Sequence, residues 1–292
     1  IPTYLLSKMT RENVTVSLSG DGGDELFGGY NRYIWTKKLW KKFSIFPLGI
    51  RSILGSFLVK PSPEKWDQTY QTFEKLLPYS LKFSNFGDKV HKGAKALKAN
   101  NINSLYTTFV SHWDSPNSIV IGGSDSTNFL TKLSYNDEKL SEIEKMMALD
   151  TISYLPDDIL TKVDRAAMSV SLETRIPFLD HDIADFAWSL PLSMKIRGNE
   201  SKWILKQLLY KYIPKNLIER PKMGFGIPLD IWLRGPLRDW AETLLDKTRL
   251  KNECFLEPSL VEKKWREHLS GARNWQSELW NVLMFQSWLE KE

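Results

Sequence analysis

The 292 residues are 42% hydrophobic and 26% charged with a net charge of +5, which suits one large or two modest domains with a sizeable core. The single cysteine, Cys254, excludes an internal disulfide framework, and four scattered histidines without cysteine neighbours exclude zinc spacing, so any metal is expected on oxygen ligands. The most apolar stretch, Phe43 to Val59, is broken by Pro47, Gly49, Arg51 and Gly55 and falls short of a spanning helix. Ile1-Pro-Thr-Tyr-Leu-Leu has no initiator Met, basic leader or small-residue cleavage site, which reads as an excised piece of a cytoplasmic protein.

Val14-Thr-Val-Ser-Leu18 alternates apolar and polar residues before a glycine cluster, predicting a short strand that enters a loop; Glu25 onward reads as a helix. Strand, glycine loop and helix in that order is the layout of nucleotide sites in α/β proteins. From Leu26 to Pro63 the charges are Arg32, Lys37, Lys38, Lys41, Lys42, Arg51 and Lys60, with no acid. Such a run suits a polyanion or an anionic membrane, or a solvated helix face whose other side, Leu39, Trp40 and Phe43, packs inward. Aromatic RNA-binding motifs are absent, so the solvated face is expected, with no nucleic-acid or membrane partner.

Residues 36 to 140 lack a regular period and predict helices and loops of unfixed bounds. Ser141 to Tyr154 predicts a helix. Pro156-Asp-Asp opens another, with Ile159, Leu160, Val163, Ala166, Ala167 and Val170 as an apolar stripe and Lys162, Asp164 and Arg165 on the polar side. Pro177 and the cap Asp180 precede a helix from Asp182 to Leu190. A further helix is expected from Glu200 to Tyr212, burying Ile204, Leu205, Leu208, Leu209 and Tyr212, and the tail from Pro236 reads as helical to Trp288. Glu173, Arg175 and Asp180, and Asp164 with Arg165, are expected to form buried ion pairs.

Five of the sixteen glycines lie between Gly20 and Gly29, where the backbone turns sharply and bare NH groups can meet a phosphate. Asp21 and Asp24 sit three apart where the loop becomes a helix, so both can face one point and offer Mg²⁺ the one or two carboxylates it takes beside phosphate oxygens. The loop alone equally fits a plain turn whose Asp24 and Glu25 complement the helix dipole. Lys202 falls in the first turn of its expected helix, where a cation opposes the dipole unless an anion shares the spot; a surface lysine paired with Glu200 is the alternative.

The string Val16-Ser-Leu-Ser-Gly-Asp-Gly-Gly-Asp-Glu-Leu-Phe-Gly-Gly-Tyr30 resembles the second nucleotide-site motif of the asparagine synthetase family. Tyr154 to Arg165, Met168-Ser, Leu172 to Asp180, Lys202 to Lys206 and Arg220-Pro-Lys-Met-Gly-Phe225 resemble the same family in the same order. The resemblance implies an α/β, mostly helical fold: the C-terminal part of an adenine nucleotide α-hydrolase-like (ATP pyrophosphatase) domain with a short parallel sheet remnant. Residues 1–292 would then be a partial domain in which 35–141 is a helical insertion. It implies that ATP activates a carboxylate as an acyl-adenylate and that ammonia from a glutaminase domain outside this chain forms the amide.

By the same resemblance, Ser19, Gly20 and Gly22 match ATP-binding positions and Asp24 the acid that holds Mg²⁺. Asp21 stands at the position tied to acyl-adenylate formation or the attacking nitrogen, where asparagine synthetases often carry Glu. Lys202 matches the lysine that neutralises the α-phosphate and departing pyrophosphate, and Lys222 is a further phosphate candidate. The family's first motif, Ser-Gly-Gly-x-Asp-Ser, is expected upstream of Ile1 with the glutaminase. Ile121-Gly-Gly-Ser-Asp-Ser-Thr127 imitates it on the wrong side of the second motif, and is expected to be a chance match. Aspartate is the expected acceptor, with a sugar uronic acid as the alternative; a homodimer is an assembly open to the full-length protein. A non-catalytic nucleotide- or polyanion-binding module is the competing class.

Overall fold

The computed structural model describes residues 1–74, 86–113, 115–124, 140–219 and 226–291. The chain divides into two compact units, one of Ile1–Leu39 with Phe129–Ile227 and one of Trp40–Asn128 with Pro228–Glu292. The local pattern does not announce that the middle of the chain folds with the tail. No helix among the described residues is long and apolar enough to cross a membrane.

The first unit opens with α1 (Pro2–Arg11), started by a proline at its N-terminal turn, where the missing N–H costs nothing. Strand β1 (Val16–Leu18) follows, then α2 (Gly23–Phe27) and α3 (Asn31–Phe43), with Gly28 in the left-handed region ending α2, so the single helix expected from Glu25 is two. α3 buries Tyr33 and Thr36 and keeps Lys37, Lys38, Lys41 and Lys42 exposed, while Leu39, Trp40 and Phe43, expected to pack inward, are only half-buried. Strand β2 (Glu173–Arg175) pairs in parallel with β1, in the register Val16 to Glu173, Ser17 to Thr174 and Leu18 to Arg175. Together they form the short parallel sheet in a mostly helical chain.

After α4 (Leu48–Leu58), α5 (Pro63–Glu74), α6 (Phe86–Leu97) and α7 (Ile102–Val110) of the second unit, the chain returns as α8 (Glu142–Ile152). Ser141 and Glu144 close a reciprocal capping box at its start. Pro156 then lies in a π-helical turn, Leu155–Leu160, that runs into α9 (Thr161–Met168); a proline without an N–H suits a wider ladder where an ordinary helix start was expected. Asp180 caps α10 (His181–Ser189) by accepting from the Asp182 N–H at 3.0 Å. It is therefore a cap and not part of a buried ion-pair frame, and the Glu173–Arg175 pair at 2.7 Å is exposed.

α11 (Leu192–Lys195) and α12 (Trp203–Leu209) flank a turn closed by an Arg197–Glu200 bridge. That turn delays the helix expected from Glu200, and α12 ends before Tyr212, which is 78% exposed. Leu208, expected inside, is 51% exposed on an apolar hollow that it shares with Phe27, Phe178 and Ile204. α13 (Lys215–Ile218) follows.

The tail is helical as expected, as α14 (Leu229–Arg234), α15 (Arg238–Leu244), α16 (Lys247–Glu253), α17 (Pro258–Leu269) and α18 (Gln276–Leu289). Leu233, Leu244, Leu250, Leu279 and Leu283 are fully buried there around Trp265, each contributing about 1.5–3 kcal/mol of burial. Arg51 of α4 is buried on the carbonyls of Phe46, Leu97 and Ala99, so this member of the basic run is spent inside the second unit.

Candidate active site

The parallel pairing decides where the glycine loop starts. Beyond β1 the Ser19 N–H donates to the Arg175 carbonyl at 2.8 Å, extending the ladder one step and releasing the loop at the carboxyl ends of both strands. Ligands of open parallel sheets bind at that end. Nothing crowds Gly20, whereas Gly22 turns at φ 80 under Phe178 and Leu179, and an added Cβ would come within 2.9 Å of the Leu179 side chain. The structure thus keeps Gly20 open to a ligand and gives Gly22 the turn.

Ser19 Oγ donates a short hydrogen bond to Asp21 Oδ2. Both line a cavity of about 520 Å³ with Ser17, Gly20, Thr174 and residues of α1. Lys162 of α9 is the cation of that lining, a residue legible in the sequence only as part of a polar helix face.

Asp24 points elsewhere. Its Oδ1 lies 3.0 Å from Lys202 Nζ, with both side chains a little over a quarter exposed. Neither residue lines the cavity of Asp21, so the structure sorts the acids into two places: Asp21 with Ser19, and Asp24 with Lys202. Lys202 is not inside the first turn of α12. It is the N-cap residue, in the left-handed region at φ 52, and its charge answers Asp24 while Lys206 pairs with Glu200 at 3.4 Å. A non-glycine residue held there carries backbone strain of the kind found at functional sites. Gly29 lies against the pair, because an added Cβ would overlap the Asp24 carboxylate and Lys202 Cε. Lys222 falls outside the described residues.

Among the described residues no three His, Cys, Asp or Glu side chains converge on a metal-sized site. One carboxylate beside a cation suits Mg²⁺ that arrives on a nucleotide and takes its other ligands from phosphate and water, not a metal caged by protein.

Behind the loop is a buried polar network that sequence reasoning missed. Glu25 is 1% exposed, and the Tyr30 hydroxyl donates to its Oε1 at 2.6 Å. Burial pushes the Glu25 carboxyl above its ordinary value, with the Tyr30 hydrogen bond opposing. It also pushes the Tyr30 hydroxyl up strongly, reinforced by the bond to Glu25. Asp150 of α8 accepts from Arg32 Nη2 and from the Tyr33 hydroxyl, each at 2.6 Å. The available signal was an acid among apolar neighbours in Met146-Met-Ala-Leu-Asp150. Lys195 is 0% exposed, and its ammonium lies over the Trp188 ring at 4.7 Å with no hydrogen-bond acceptor among the described residues; burial lowers its pKa.

Of the Ile121 to Thr127 segment, Ile121 to Ser124 are described and belong to the second unit, where Ile121 lines an apolar hollow with Val120 and Phe255; 125–127 lie outside the described residues.

Comparison with known proteins agrees with the motif reading. The family model described as asparagine synthase matches residues 1–290. The chain is 27% identical over 300 residues to asparagine synthetase [glutamine-hydrolyzing] 1 of Bacillus subtilis, covering 99% of this chain and 42% of that protein. It is also 27% identical over 289 residues to a putative glutamine-hydrolysing asparagine synthetase of Mycobacterium bovis, covering 99% of this chain and 41% of that protein. A shorter match, 37% identical over 119 residues, joins 37% of this chain to 19% of asparagine synthetase [glutamine-hydrolyzing] 3 of Bacillus subtilis. The chain therefore spans about two-fifths of the full-length relatives. No solved structure matches it.

Proposed function

We infer function from kinship first: the chain belongs to the asparagine synthase family. We propose that the protein carrying it is a ligase that amidates a carboxylate with ATP, with aspartate as acceptor and ammonia from a glutaminase domain outside this chain. The observation that carries this reading is the Asp24–Lys202 pair at 3.0 Å, which joins the glycine loop to the segment before α12.

A carboxylate oxygen of the acceptor attacks the α-phosphorus of ATP, and the bond to pyrophosphate breaks. Ammonia then attacks the acyl carbon and AMP departs. Ser19 and the open backbone at Gly20 bind the nucleotide, and Lys222 is kept as a further phosphate contact. Lys202 places its ammonium against the α-phosphate and the leaving pyrophosphate, where charge develops. Asp24 would hold Mg²⁺, which supplies charge neutralisation on the phosphates. Asp24 and Lys202 lie 3.0 Å apart, so the acid that would hold Mg²⁺ and the ammonium for the phosphates stand side by side. Asp21, which accepts from Ser19 in the cavity, serves acyl-adenylate formation or handles the attacking nitrogen.

The finer fold, an adenine nucleotide α-hydrolase-like domain, is supported by a parallel β1–β2 pair with its candidate site at the carboxyl ends.

The test supplies the natural protein with ATP, Mg²⁺, ammonia and a panel of acids that includes aspartate and sugar uronic acids. The reading expects AMP, pyrophosphate and an amide, fastest with aspartate. Failure to release pyrophosphate with any acid in the panel refutes it.

A further inference from the structure

Asp24 and Glu25 are neighbours in sequence, yet their carboxylates leave α2 in different directions. Asp24 meets Lys202, while Glu25 turns inward to 1% exposure. A carboxyl that deep is costly unless it is hydrogen-bonded, and its hydroxyl partner, Tyr30 at 2.6 Å, lies just past Gly29. The Glu25–Tyr30 bond therefore closes the Gly28–Gly29 turn from behind. The front of that turn is Gly29, which lies so close to Asp24 and Lys202 that a Cβ there would overlap both side chains. One short turn has the ion pair on one face and the buried bond on the other.

Tyr30 is itself pinned. The Arg32 guanidinium lies 4.1 Å over its ring and 4.6 Å over Tyr154, and is anchored to Asp150 through Nε at 3.2 Å and Nη2 at 2.6 Å. The rings of Tyr33 and Tyr154 meet Tyr30 edge-on at 5.7 and 5.9 Å. Aromatic and cation contacts of this kind each add a directional preference beyond burial. The anchor thus runs from α8 through Arg32 and Tyr30 to Glu25, and stops one residue short of Asp24.

We propose that Glu25 and Tyr30 are positioning residues for the Asp24–Lys202 pair. Their hydrogen bond holds the Gly28–Gly29 turn shut and so sets how that carboxylate meets that ammonium. What the pair does rests on the adenylating reading above; how it is held does not. Glu25 is 1% exposed with its carboxyl on the Tyr30 hydroxyl, so it acts through its neighbours.

The experiment reads the pair directly. The natural protein is treated with a limiting amount of an amine-reactive ester, and modification is counted by mass spectrometry at Lys202 and at Lys211, an exposed lysine of the same unit. Asp24→Asn releases Lys202 and raises its labelling about three- to fivefold, the range a partly exposed ion pair supports. Tyr30→Phe, which keeps the ring and removes the hydroxyl, raises Lys202 labelling towards the same level and leaves Lys211 unchanged. Glu25→Gln, which keeps an acceptor for the hydroxyl, stays near the natural value.

Labelling of Lys202 in Tyr30→Phe that equals the natural protein overturns the proposal, as does a rise shared by Lys202 and Lys211, which marks general loosening. If the natural protein releases no pyrophosphate with any acid, the adenylating reading fails while the labelling result still decides the positioning role.

Discussion

The two units use their interiors differently. The second closes around Leu233, Leu244, Leu250, Leu279 and Leu283, and its buried Arg51 is satisfied by three backbone carbonyls. The first buries Glu25, Asp150 and Lys195 beside the loop that carries the candidate chemistry. Buried charges cost stability unless they are bonded, and core packing alone does not call for them. The second unit also buries His268 and Gln286, but inside a continuous leucine-rich core, whereas the buried charged groups of the first gather beside the glycine loop, and that contrast teaches that its interior is shaped by the need to hold particular polar groups in place.

The largest expected effect sharpens the packing side. Leu283→Ala should cost about 2–5 kcal/mol of stability in denaturant unfolding, because a filled leucine site in a closed core relaxes poorly. A loss below 1 kcal/mol would show that the second unit is not closed as described.

Acid separates the units next. Burial, with the Arg234 charge adding to it, holds His268 of the second unit down at about 4. The unfolded chain then binds this proton first. Stability present above the ordinary histidine value of about 6.5 is lost as pH falls towards 4, by up to about 1.4 kcal/mol per pH unit. Glu25 of the first unit has the opposite sign: its raised folded pKa leaves its contribution full below the ordinary carboxylate value and loses it as pH rises through the folded value. Thermal midpoints between pH 4 and 8 should therefore flatten on the acid side in His268→Gln, and become less sensitive to rising pH in Glu25→Gln.

Lys195 offers a smaller test. Its buried ammonium lacks a hydrogen-bond acceptor among the described residues, so Lys195→Met, similar in length and apolar, should raise the thermal midpoint by an amount equivalent to about 1–3 kcal/mol. A fall would mean that the contact with Trp188 outweighs the desolvation of the charge.

Local pattern made part of this legible. The strand into Leu18, the helix from Ser141 and the cap at Asp180 all depend on residues within a few positions of one another. The pairing of β1 with β2 joins segments with most of the chain between them, and the union of 40–128 with the tail is equally non-local. Neither leaves a periodic trace. At the candidate site, local signals singled out Asp21, Asp24 and Lys202 as candidates, because a glycine loop, its acids and a lysine at a helix start are short-range features, while Ser19 came from the family resemblance. Their sorting into two places is not local: it depends on the turn at Arg197–Glu200, which puts Lys202 at a strained N-cap within reach of Asp24. Glu25 looked like a dipole complement and proved to be a buried anchor, since only the fold shows that Tyr30 returns to it.

The Asp24–Lys202 pair carries the central claim, and as a partly exposed ion pair it should be worth less than about 1 kcal/mol to folding. The direct measurement compares pyrophosphate release and unfolding free energy in the natural protein, Asp24→Asn, Lys202→Met and the double variant. The account predicts a rate loss of about 100-fold or more in each single variant, with a far from additive double variant and stability held within about 1 kcal/mol. Rates that stay within a few-fold of the natural protein, or that fall only in step with unfolding, would contradict it.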